Sequence, residues 1–381
     1  MDVFINDVAA FLPNEPVTNE TIEAVLGMVR GAPSKAKRMV LKSNQITRRY
    51  YALDPHTGRL THTNAQLTAE AVRRLKPYDG FAPADIPLLS CGTTSPDVLF
   101  PGHALMVQGE LGIPACEAVT TAGICLSGVT AWKYACTSIA AGVAARAVAT
   151  GSELASSYMR AQFLTPFYDG VADLDSRPIR AFDADFLRWM LSDGAGAVFL
   201  ASAPRPGGLS LRVDWIDIVS YAGTLETCMY GGGVKLPDGR VAGWRDVEAF
   251  ENGALPHRFS VRQDIKLLDV EIVRTMGAAL QQVIAAHNLR PERVDWFLPH
   301  YSSAYFRPKF YDEMKRIGFE VPESRWFTNL AQKGNTGSAA IFIILEELFH
   351  SGRLQPGQNL LCFIPESGRF SHGFAQLTVV G

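Results

Sequence analysis

The sequence has no strong excess of charge of either sign. Its 36 lysines and arginines nearly balance 38 aspartates and glutamates, which leaves a formal net charge of −2 at pH 7. A protein that binds nucleic acid normally carries a strongly basic face, because it must neutralise backbone phosphates. The composition therefore gives no electrostatic reason to expect a nucleic-acid partner.

Long apolar runs and paired cysteines are also absent. The most apolar long stretch, TSIAAGVAARAVATG, is interrupted by Arg146 and is too short to span a bilayer, so we expect no membrane partner. The six cysteines show neither C-x-x-C pairs nor the Cys/His spacing of a zinc site, so we expect free thiols and no metal. The N-terminus, MDVFINDVAAFLPNEP, has no positive segment followed by a long apolar one, so we predict a cytoplasmic protein without a signal peptide.

Glycine-rich phosphate loops are missing as well. Neither the Gly-Ala-Gly of residues 194–196 nor the three glycines of 231–233 follow a strand in the G-x-G-x-x-G form that cradles a dinucleotide. We therefore expect no nucleotide cofactor, and the sequence indicates no other cofactor.

What the chain does contain is a rough internal repeat. In the first half a helical segment, AQLTAEAVRRL, leads to the strand DIPLLSCGTTS, a turn, a second helix and the strand RAVATGSE. In the second half LLDVEIVRTMGAALQQVIAAHNL leads to FLPHYSS, then to KGNTGSAAIFIILEELFHSG and NLLCFIPESG. Strands and helices that alternate in this way predict an α/β fold with parallel strands. We expect two pseudo-symmetric halves, residues 1–205 and 206–381.

A cysteine lies at a helix start in the first half. In VTTAGICLSGVTAWKYAC, Val129, Trp132, Cys136 and Ile139 recur at helical spacing, so Cys125 falls at the N-terminus of that helix. Unpaired backbone N–H groups and the helix dipole stabilise an anion there, which predicts a reactive thiolate. The alternative is that Cys125 is a small buried core residue.

A histidine and an asparagine fall at matching places in the second half. His300 ends the strand DWFLPH, and Asn335 occupies the turn equivalent to that of Cys125. Because sites form where the carboxyl ends of strands meet, we expect the three side chains to form a Cys-His-Asn constellation. The ordinary alternatives are a structural histidine at a strand end and a turn asparagine.

At these residues the sequence resembles the thiolase-fold ketoacyl-[acyl-carrier-protein] synthases of the third, initiating type. The resemblance is carried by GICLSGVTAWKYA, ATGSELAS, LSDGAGAVFL, HYSSAYF, GNTGSAA and SGRFSHG, in the family's order over nearly the whole chain. It implies a layered αβαβα core and an acyltransferase that condenses acyl thioesters.

The resemblance also implies a two-stage mechanism without a cofactor. Cys125 takes an acyl group from a thioester, and His300 and Asn335 then stabilise the enolate of a second thioester. The backbone N–H groups of Cys125 and of the SGRFSHG turn, near Arg369, are expected to hold the oxyanion. In this family Phe100 reaches across a twofold interface into the neighbour's acyl tunnel, which implies a homodimer.

The chain departs from the family pattern after the histidine. Tyr301, Ser302 and Ser303 stand where Gln-Ala-Asn is usual, and Tyr305 stands where an arginine often holds a coenzyme A phosphate. Because of these changes, we do not expect the first substrate to be an acyl-CoA of the ordinary kind.

A basic run near the N-terminus favours a different donor. PSKAKRMVLKSNQITRRYYA contains no acidic residue, and Lys35, Lys37, Arg38 and Lys42 lie in its first part. Such a run is often only a solvated helix face. Alternatively, it docks a small acidic acyl carrier protein through complementary charge.

The same N-terminal segment resembles the branch that forms dialkylresorcinols by joining a β-ketoacyl thioester to another acyl thioester. Three alternatives stay open: priming from acyl-CoA and malonyl-carrier protein, acyl transfer to an oxygen or nitrogen acceptor, and a non-catalytic subunit of a ketosynthase heterodimer. An intact Cys125 argues against the last of these.

Overall fold

The computed structural model describes residues 1–164, 186–246 and 260–381. In chain order the strands are β1 (Phe4–Phe11), β2 (Val17–Thr18), β3 (Arg48–Arg49), β4 (Leu88–Thr93), β5 (Glu117–Ala122), β6 (Arg146–Glu153), β7 (Gly194–Ala201), β8 (Ser210–Ser220), β9 (Met229–Tyr230), β10 (Gly233–Lys235), β11 (Val241–Gly243), β12 (Arg262–Gln263), β13 (Trp296–Pro299), β14 (Asn359–Glu366) and β15 (Ser371–Val380). The helices are α1 (Ile22–Leu26), α2 (Lys37–Asn44), α3 (Asn64–Arg73), α4 (His103–Leu111), α5 (Ser127–Ala140), α6 (Ser156–Met159), α7 (Ile265–His287), α8 (Phe306–Arg316), α9 (Leu330–Lys333) and α10 (Ala340–Phe349).

Nine strands are hydrogen-bonded in the order β13-β14-β15-β8-β1-β7-β6-β4-β5. β4 runs parallel to β5 and β6, and β13 runs parallel to β14, as the alternating pattern predicts. β1, β4, β5, β6 and β7 precede residue 206, and the other four follow it. Among the described strands, the two sets meet where Phe4 and Ile5 of β1 pair with Arg212 and Leu211 of β8. The repeat thus yields two sheet halves joined by a short pairing.

Local sequence explains the best-defined elements. β4, LLSCGT, is buried at every position, which is typical of a strand covered by helices on both faces. Thr63 and Gln66 form a capping box that starts α3, and the side chain of Asp264 accepts the Leu267 N–H at the start of α7. α10, AIFIILEELF, is apolar on almost all sides, which predicts a helix buried in the middle of the molecule.

Three hydrophobic clusters arrange the elements in five layers. One cluster packs α3 and α4 on the outer face of the first sheet half, and another packs α7 and α8 on the outer face of the second. Between the two halves lie α5 and α10, which share a third cluster with strands from both. This is the αβαβα order that the family resemblance implied, so the predicted fold is confirmed.

Close packing in the central layer brings the two repeats together. The Ser127 hydroxyl at the start of α5 donates to the Ser338 hydroxyl just before α10, at 2.8 Å. At Gly151 of β6 a Cβ atom would lie 2.2 Å from the carbonyl oxygen of Ser338, so only glycine fits there. The turn before α5 and the turn before α10 are therefore held side by side.

Within the described ranges, no helix is both long enough and apolar enough to cross a membrane.

Candidate active site

A cavity opens where the two turns meet, with about 690 Å³ of space between the protein atoms that includes its opening to solvent. Its walls include Cys125, His300 and Asn335, so the fold brings the three predicted residues to one place. All three are nearly buried, with exposed fractions of 6%, 3% and 4%.

Cys125 lies two residues before the first residue of α5, as the sequence pattern predicts. The Ser127 N–H and hydroxyl both bind the carbonyl of Ile124, at 3.1 and 2.9 Å, and this tight turn presents Cys125 to the cavity. No other described residue accepts the backbone N–H of Cys125. That N–H is therefore available to a group bound next to the sulfur.

The expected thiolate is not the resting state. Burial raises the pKa of the Cys125 thiol far above its usual range, and the nearby carboxylates of Glu366 and Glu153 raise it further. The Cys125 backbone N–H acts in the opposite direction but is a smaller effect. The sequence-based prediction considered the helix terminus and omitted desolvation, which dominates here. The resting thiol is neutral.

His300 is also neutral. Burial lowers the pKa of its imidazole to about 4, because a charged ring would lose its hydration. Its backbone N–H donates to Phe363 O at 2.8 Å and anchors the end of β13 to β14. The ring has no hydrogen-bond partner among the described residues. It can therefore offer an N–H to a ligand in the cavity.

Asn335 is oriented by its own turn. Its backbone N–H donates to Met190 O at 2.9 Å, and its carbonyl accepts the Ser192 N–H at 2.8 Å. Its side-chain Oδ1 accepts the Gly337 N–H at 2.9 Å. With Oδ1 engaged, the Nδ2 amide group is the part left to donate into the cavity.

The backbone N–H of Arg369, the expected second oxyanion donor, has a partner within its own turn. This N–H donates to Glu366 Oε2 at 3.3 Å, and the N–H groups of Gly368 and Ser371 also bind the Glu366 carboxylate. The whole turn is folded around this buried acid, which the motif SGRFSHG by itself does not reveal. Of this turn, Ser367 is the residue that reaches the cavity wall.

Glu153 is a cavity residue that the sequence analysis missed. It ends β6, is 4% exposed and lines the same cavity as Cys125. A usable signal was present in ATGSELAS, because a carboxylate at the carboxyl end of a strand parallel to β4 must lie at the edge where sites form.

Tyr301 and Ser302, which depart from the family pattern, lie on the cavity wall. Tyr305 lies outside it and is 41% exposed. Lys309 stacks over the Tyr305 ring at 4.1 Å and pairs with Asp269, so its charge is already compensated.

The other predicted binding residues are on the surface. Phe100 is 80% exposed and does not line the cavity of its own chain. Lys35, Arg38 and Lys42 are exposed and make no ion pair with a described residue. Lys37 differs, because its Nζ pairs with Glu23 Oε2 at 2.9 Å and its side chain is only 19% exposed. Lys37 is thus part of a local ion pair. The basic run in the sequence does not show this, because Glu23 lies outside the run.

No group of metal-ligating side chains occurs in the portion of the chain that the structure describes. The chemistry available at the cavity is that of a thiol, a neutral imidazole, a carboxamide and a carboxylate. This set suits acyl transfer through a covalent thioester.

Comparison with known proteins agrees with this chemistry. Residues 114–205 match the family model "Beta-ketoacyl synthase, N-terminal domain", and residues 284–365 match "3-Oxoacyl-[acyl-carrier-protein (ACP)] synthase III C terminal". The chain is 25% identical to the β-ketoacyl-[acyl-carrier-protein] synthase III of Methylococcus capsulatus over 357 residues, which cover 94% of this chain and 93% of that protein.

Solved structures share the fold over the full length. AbyA1, a tetronic acid condensing enzyme, superposes with a TM-score of 0.77 at 21% identity and 99% coverage of both chains. OleA of Xanthomonas campestris, solved with bound lauric acid and lauroyl-CoA, gives a TM-score of 0.73 at 19% identity and 99% coverage of both. The chain is an acyltransferase with the thiolase fold, and it is similar to the condensing enzymes of the β-ketoacyl-[acyl-carrier-protein] synthase III type.

Proposed function

We propose that the protein carries an acyl group on Cys125 and joins it to a carrier-bound β-ketoacyl thioester, in the formation of dialkylresorcinol-type lipids. The observation that carries the proposal is the shared cavity, in which a thiol, an imidazole and an oriented carboxamide meet. Glu153 lies on the same wall.

In the first stage Cys125 attacks the carbonyl carbon of the acyl donor and releases the donor's thiol. The free backbone N–H of Cys125 lies beside the sulfur and stabilises the oxyanion of the tetrahedral intermediate. Since the thiol is neutral at rest, it loses its proton as the substrate is attacked, and the departing sulfur of the donor takes up that proton.

In the second stage His300 and Asn335 bind the carbonyl oxygen of the partner thioester. Both groups are uncharged donors held in place by the backbone, so their dipoles are oriented before charge develops. Loss of the α-proton of this thioester to a base leaves an enolate, which attacks the acyl carbonyl on Cys125. A carbon–carbon bond forms, the carbon–sulfur bond to Cys125 breaks, and the sulfur takes up a proton.

The cavity offers an apolar environment for alkyl chains. The bound lauroyl-CoA in the OleA structure shows that this fold admits a thioester of that kind in another protein. Here the apolar wall includes Leu187, Met190, Leu268, Ile272, Phe306 and Phe310. We infer that medium or long acyl groups are used.

An acidic carrier protein is the proposed donor because α2 presents uncompensated cations close to the cavity. Lys35, Arg38 and Lys42 are exposed on or beside this helix. Its last residue, Asn44, donates to Trp189 O at 2.9 Å and accepts the Ala304 N–H at 3.2 Å, which joins the helix to two segments that line the cavity. A carrier docked on α2 would thus lie near the site.

A second copy of the chain is the proposed partner at the opposite edge of the sheet. Val98, Leu99 and Phe100 are exposed, and among the described strands β5 is the last of the sheet, with no strand paired to its outer side. Such an apolar loop next to an open strand edge is usually covered by another chain.

The proposal is tested by offering the same acyl chain on carrier protein and on coenzyme A, with a malonyl or a β-ketoacyl carrier thioester as second substrate. Intact mass identifies the acyl group on the protein, and product analysis identifies the partner. We expect preference for the carrier donor with the β-ketoacyl partner.

The alternative is priming of fatty-acid synthesis from acyl-CoA and malonyl-carrier protein. It is favoured by the relative in Methylococcus capsulatus, which is named a β-ketoacyl-[acyl-carrier-protein] synthase III. A preference for the coenzyme A donor with the malonyl partner would establish this alternative.

A further inference from the structure

Glu153 is a buried carboxylate with no cation to balance it. It lies at the end of β6 on the cavity wall, 4% exposed, and no lysine, arginine or histidine among the described residues pairs with it. A buried acid without a cation is costly to keep ionised, so its presence on a substrate cavity calls for a reason.

Three donors fix the position of the carboxylate. Oε1 accepts the Thr94 N–H at 3.0 Å and the Ser338 N–H at 3.4 Å, and Oε2 accepts the Ser95 hydroxyl at 2.8 Å. An ionised carboxylate offers about four acceptor sites, so one site at Oε2 stays free. The group is thus held rigidly and can still accept a proton.

We infer that Glu153 is the base that removes the α-proton of the second thioester, and that this thioester is a β-ketoacyl one. The inference rests on the function proposed above and deepens it. The observation behind it is the position of Glu153 on the cavity wall, which Cys125, His300 and Asn335 also line.

The step balances without any further reactant. Glu153 takes the α-proton, and the electron pair of the broken C–H bond becomes an enolate held by His300 and Asn335. The enolate carbon attacks the acyl carbonyl on Cys125, a carbon–carbon bond forms and the carbon–sulfur bond breaks. The proton on Glu153 then passes to the released sulfur, which restores both residues.

The chemistry of Glu153 matches this substrate class. Burial raises its pKa to about 7, which is suited to exchanging protons near neutral pH. The titratable groups around it are the Cys125 thiol, the Tyr158 phenol and the neutral His300. An α-carbon between two carbonyls gives up a proton far more readily than that of a simple acyl thioester, because two oxygens share the charge.

A malonyl partner provides the contrast. Loss of carbon dioxide leaves its electron pair on the α-carbon, so no residue has to accept a proton. A base at Glu153 is needed for one partner and not for the other. A purely structural Glu153, tying Thr94 and Ser95 to Ser338, would matter equally for both.

The experiment compares the two partners in Glu153→Gln, starting from protein already acylated on Cys125. We expect condensation with the β-ketoacyl thioester to fall about a hundredfold or more, the usual scale for a lost general base, with malonyl condensation and Cys125 acylation retained. In the wild type the single-turnover rate should rise with pH through about 7, and this rise should be absent in the variant.

Glu366→Gln is the matched control. Glu366 is likewise a buried carboxylate near Cys125, but it is bound within its own turn by backbone N–H groups. We expect this variant to keep the wild-type pH profile and the wild-type ratio of the two condensations. Glu153→Asp, which retains an acid, should recover part of the β-ketoacyl activity.

Loss of Cys125 acylation in Glu153→Gln, or equal loss with both partners and an unchanged pH profile, would overturn the role of Glu153 and leave the proposed function intact. A wild-type protein that condenses only malonyl thioesters would instead overturn the proposed function, and the inference with it.

Discussion

Three uncharged groups face the cavity at the residue scale: the thiol of Cys125, the imidazole of His300 and the carboxamide of Asn335. Burial keeps the first two neutral, and the Gly337 N–H fixes the orientation of the third. In the proposed reaction these groups therefore act as nucleophile and hydrogen-bond donors and do not form an ion pair. Negative charge arises only on the substrate, where the donors already point.

Replacing Cys125 should abolish acylation. We expect Cys125→Ala to show no acyl adduct by intact mass and no product, because no other thiol lies on the cavity wall of the described chain. Cys136→Ala is the matched control, since Cys136 lies further along the same helix and should leave both readouts unchanged. An adduct mapped to another cysteine would contradict the assignment.

His300→Ala and Asn335→Ala should separate the two stages. Both variants should still accept the acyl group on Cys125 but lose condensation by roughly a hundredfold or more, the scale for removing an oxyanion donor. Asn335→Asp sharpens the test, because a carboxylate can still accept the Gly337 N–H yet has no Nδ2 to donate. Wild-type turnover in any of these variants would remove that residue from the mechanism.

At the element scale, α2 joins a basic surface to the cavity. Its exposed cations face solvent, whereas its buried Asn44 binds Trp189 and Ala304 in the segments that carry cavity residues. By contrast, α8 has its Arg307, Lys309 and Arg316 paired with acids. On and beside α2, Lys35, Arg38 and Lys42 are exposed and make no ion pair with a described residue.

Charge reversal on α2 should weaken carrier use. We expect Lys35→Glu with Arg38→Glu to raise KM for carrier-bound donors and to leave short thioester analogues unaffected, since docking charge acts mainly on association. Arg316→Glu on α8 is the control, because its partner Glu313 already neutralises it. An equal loss with both kinds of donor would show that the basic surface is structural.

The packing of α7 against β15 should make stability depend on pH. His372 is fully buried, its Nε2 lies 2.8 Å from Thr275 Oγ1, and burial lowers its pKa to about 3. Because the unfolded chain binds this proton more readily, the free energy of unfolding falls as pH drops below the ordinary histidine value. At pH 5 this group alone should cost about 2 kcal/mol relative to pH 7.

Chemical denaturation at pH 7 and pH 5 measures this effect. His372→Gln should be less stable at pH 7 but should lose less on acidification than the wild type, because the titrating group is gone. His56→Gln, in an exposed surface turn, should behave as the wild type. An unchanged pH dependence in His372→Gln would exclude His372 as its source.

On the scale of the whole molecule, the exposed apolar loop lies near β5, which is the last strand of the sheet among the described residues. Phe100 is 80% exposed, and Leu99 is 63% exposed. These side chains belong to none of the hydrophobic clusters of the described chain. The proposed second copy would remove their apolar surface from water.

We expect the protein to be a homodimer by light scattering at its working concentration. Phe100→Ala should change the preferred acyl chain length more than it changes thermal stability, because Phe100 is proposed to line the partner's tunnel. Val270→Ala is a suitable control, since Val270 is also exposed, at 66%, but lies on α7. An active monomer would rule out this assembly.

The sequence by itself determined the order of the elements and the place of the site. The repeat, the apolar strands and the helical spacing around Cys125 are local patterns, and local patterns fix helices, strands and turns. The carboxyl ends of the strands then had to meet, which brought Cys125, His300 and Asn335 to one cavity.

Only the tertiary structure decided the charge states and the pairing. Lys37 meets Glu23 across 14 residues, and Glu153 meets Thr94 across 59 and Ser338 across 185. The neutral thiol of Cys125 and the elevated pKa of Glu153 both follow from burial among such distant neighbours. Desolvation depends on what surrounds a group in space, and no spacing along the chain encodes it.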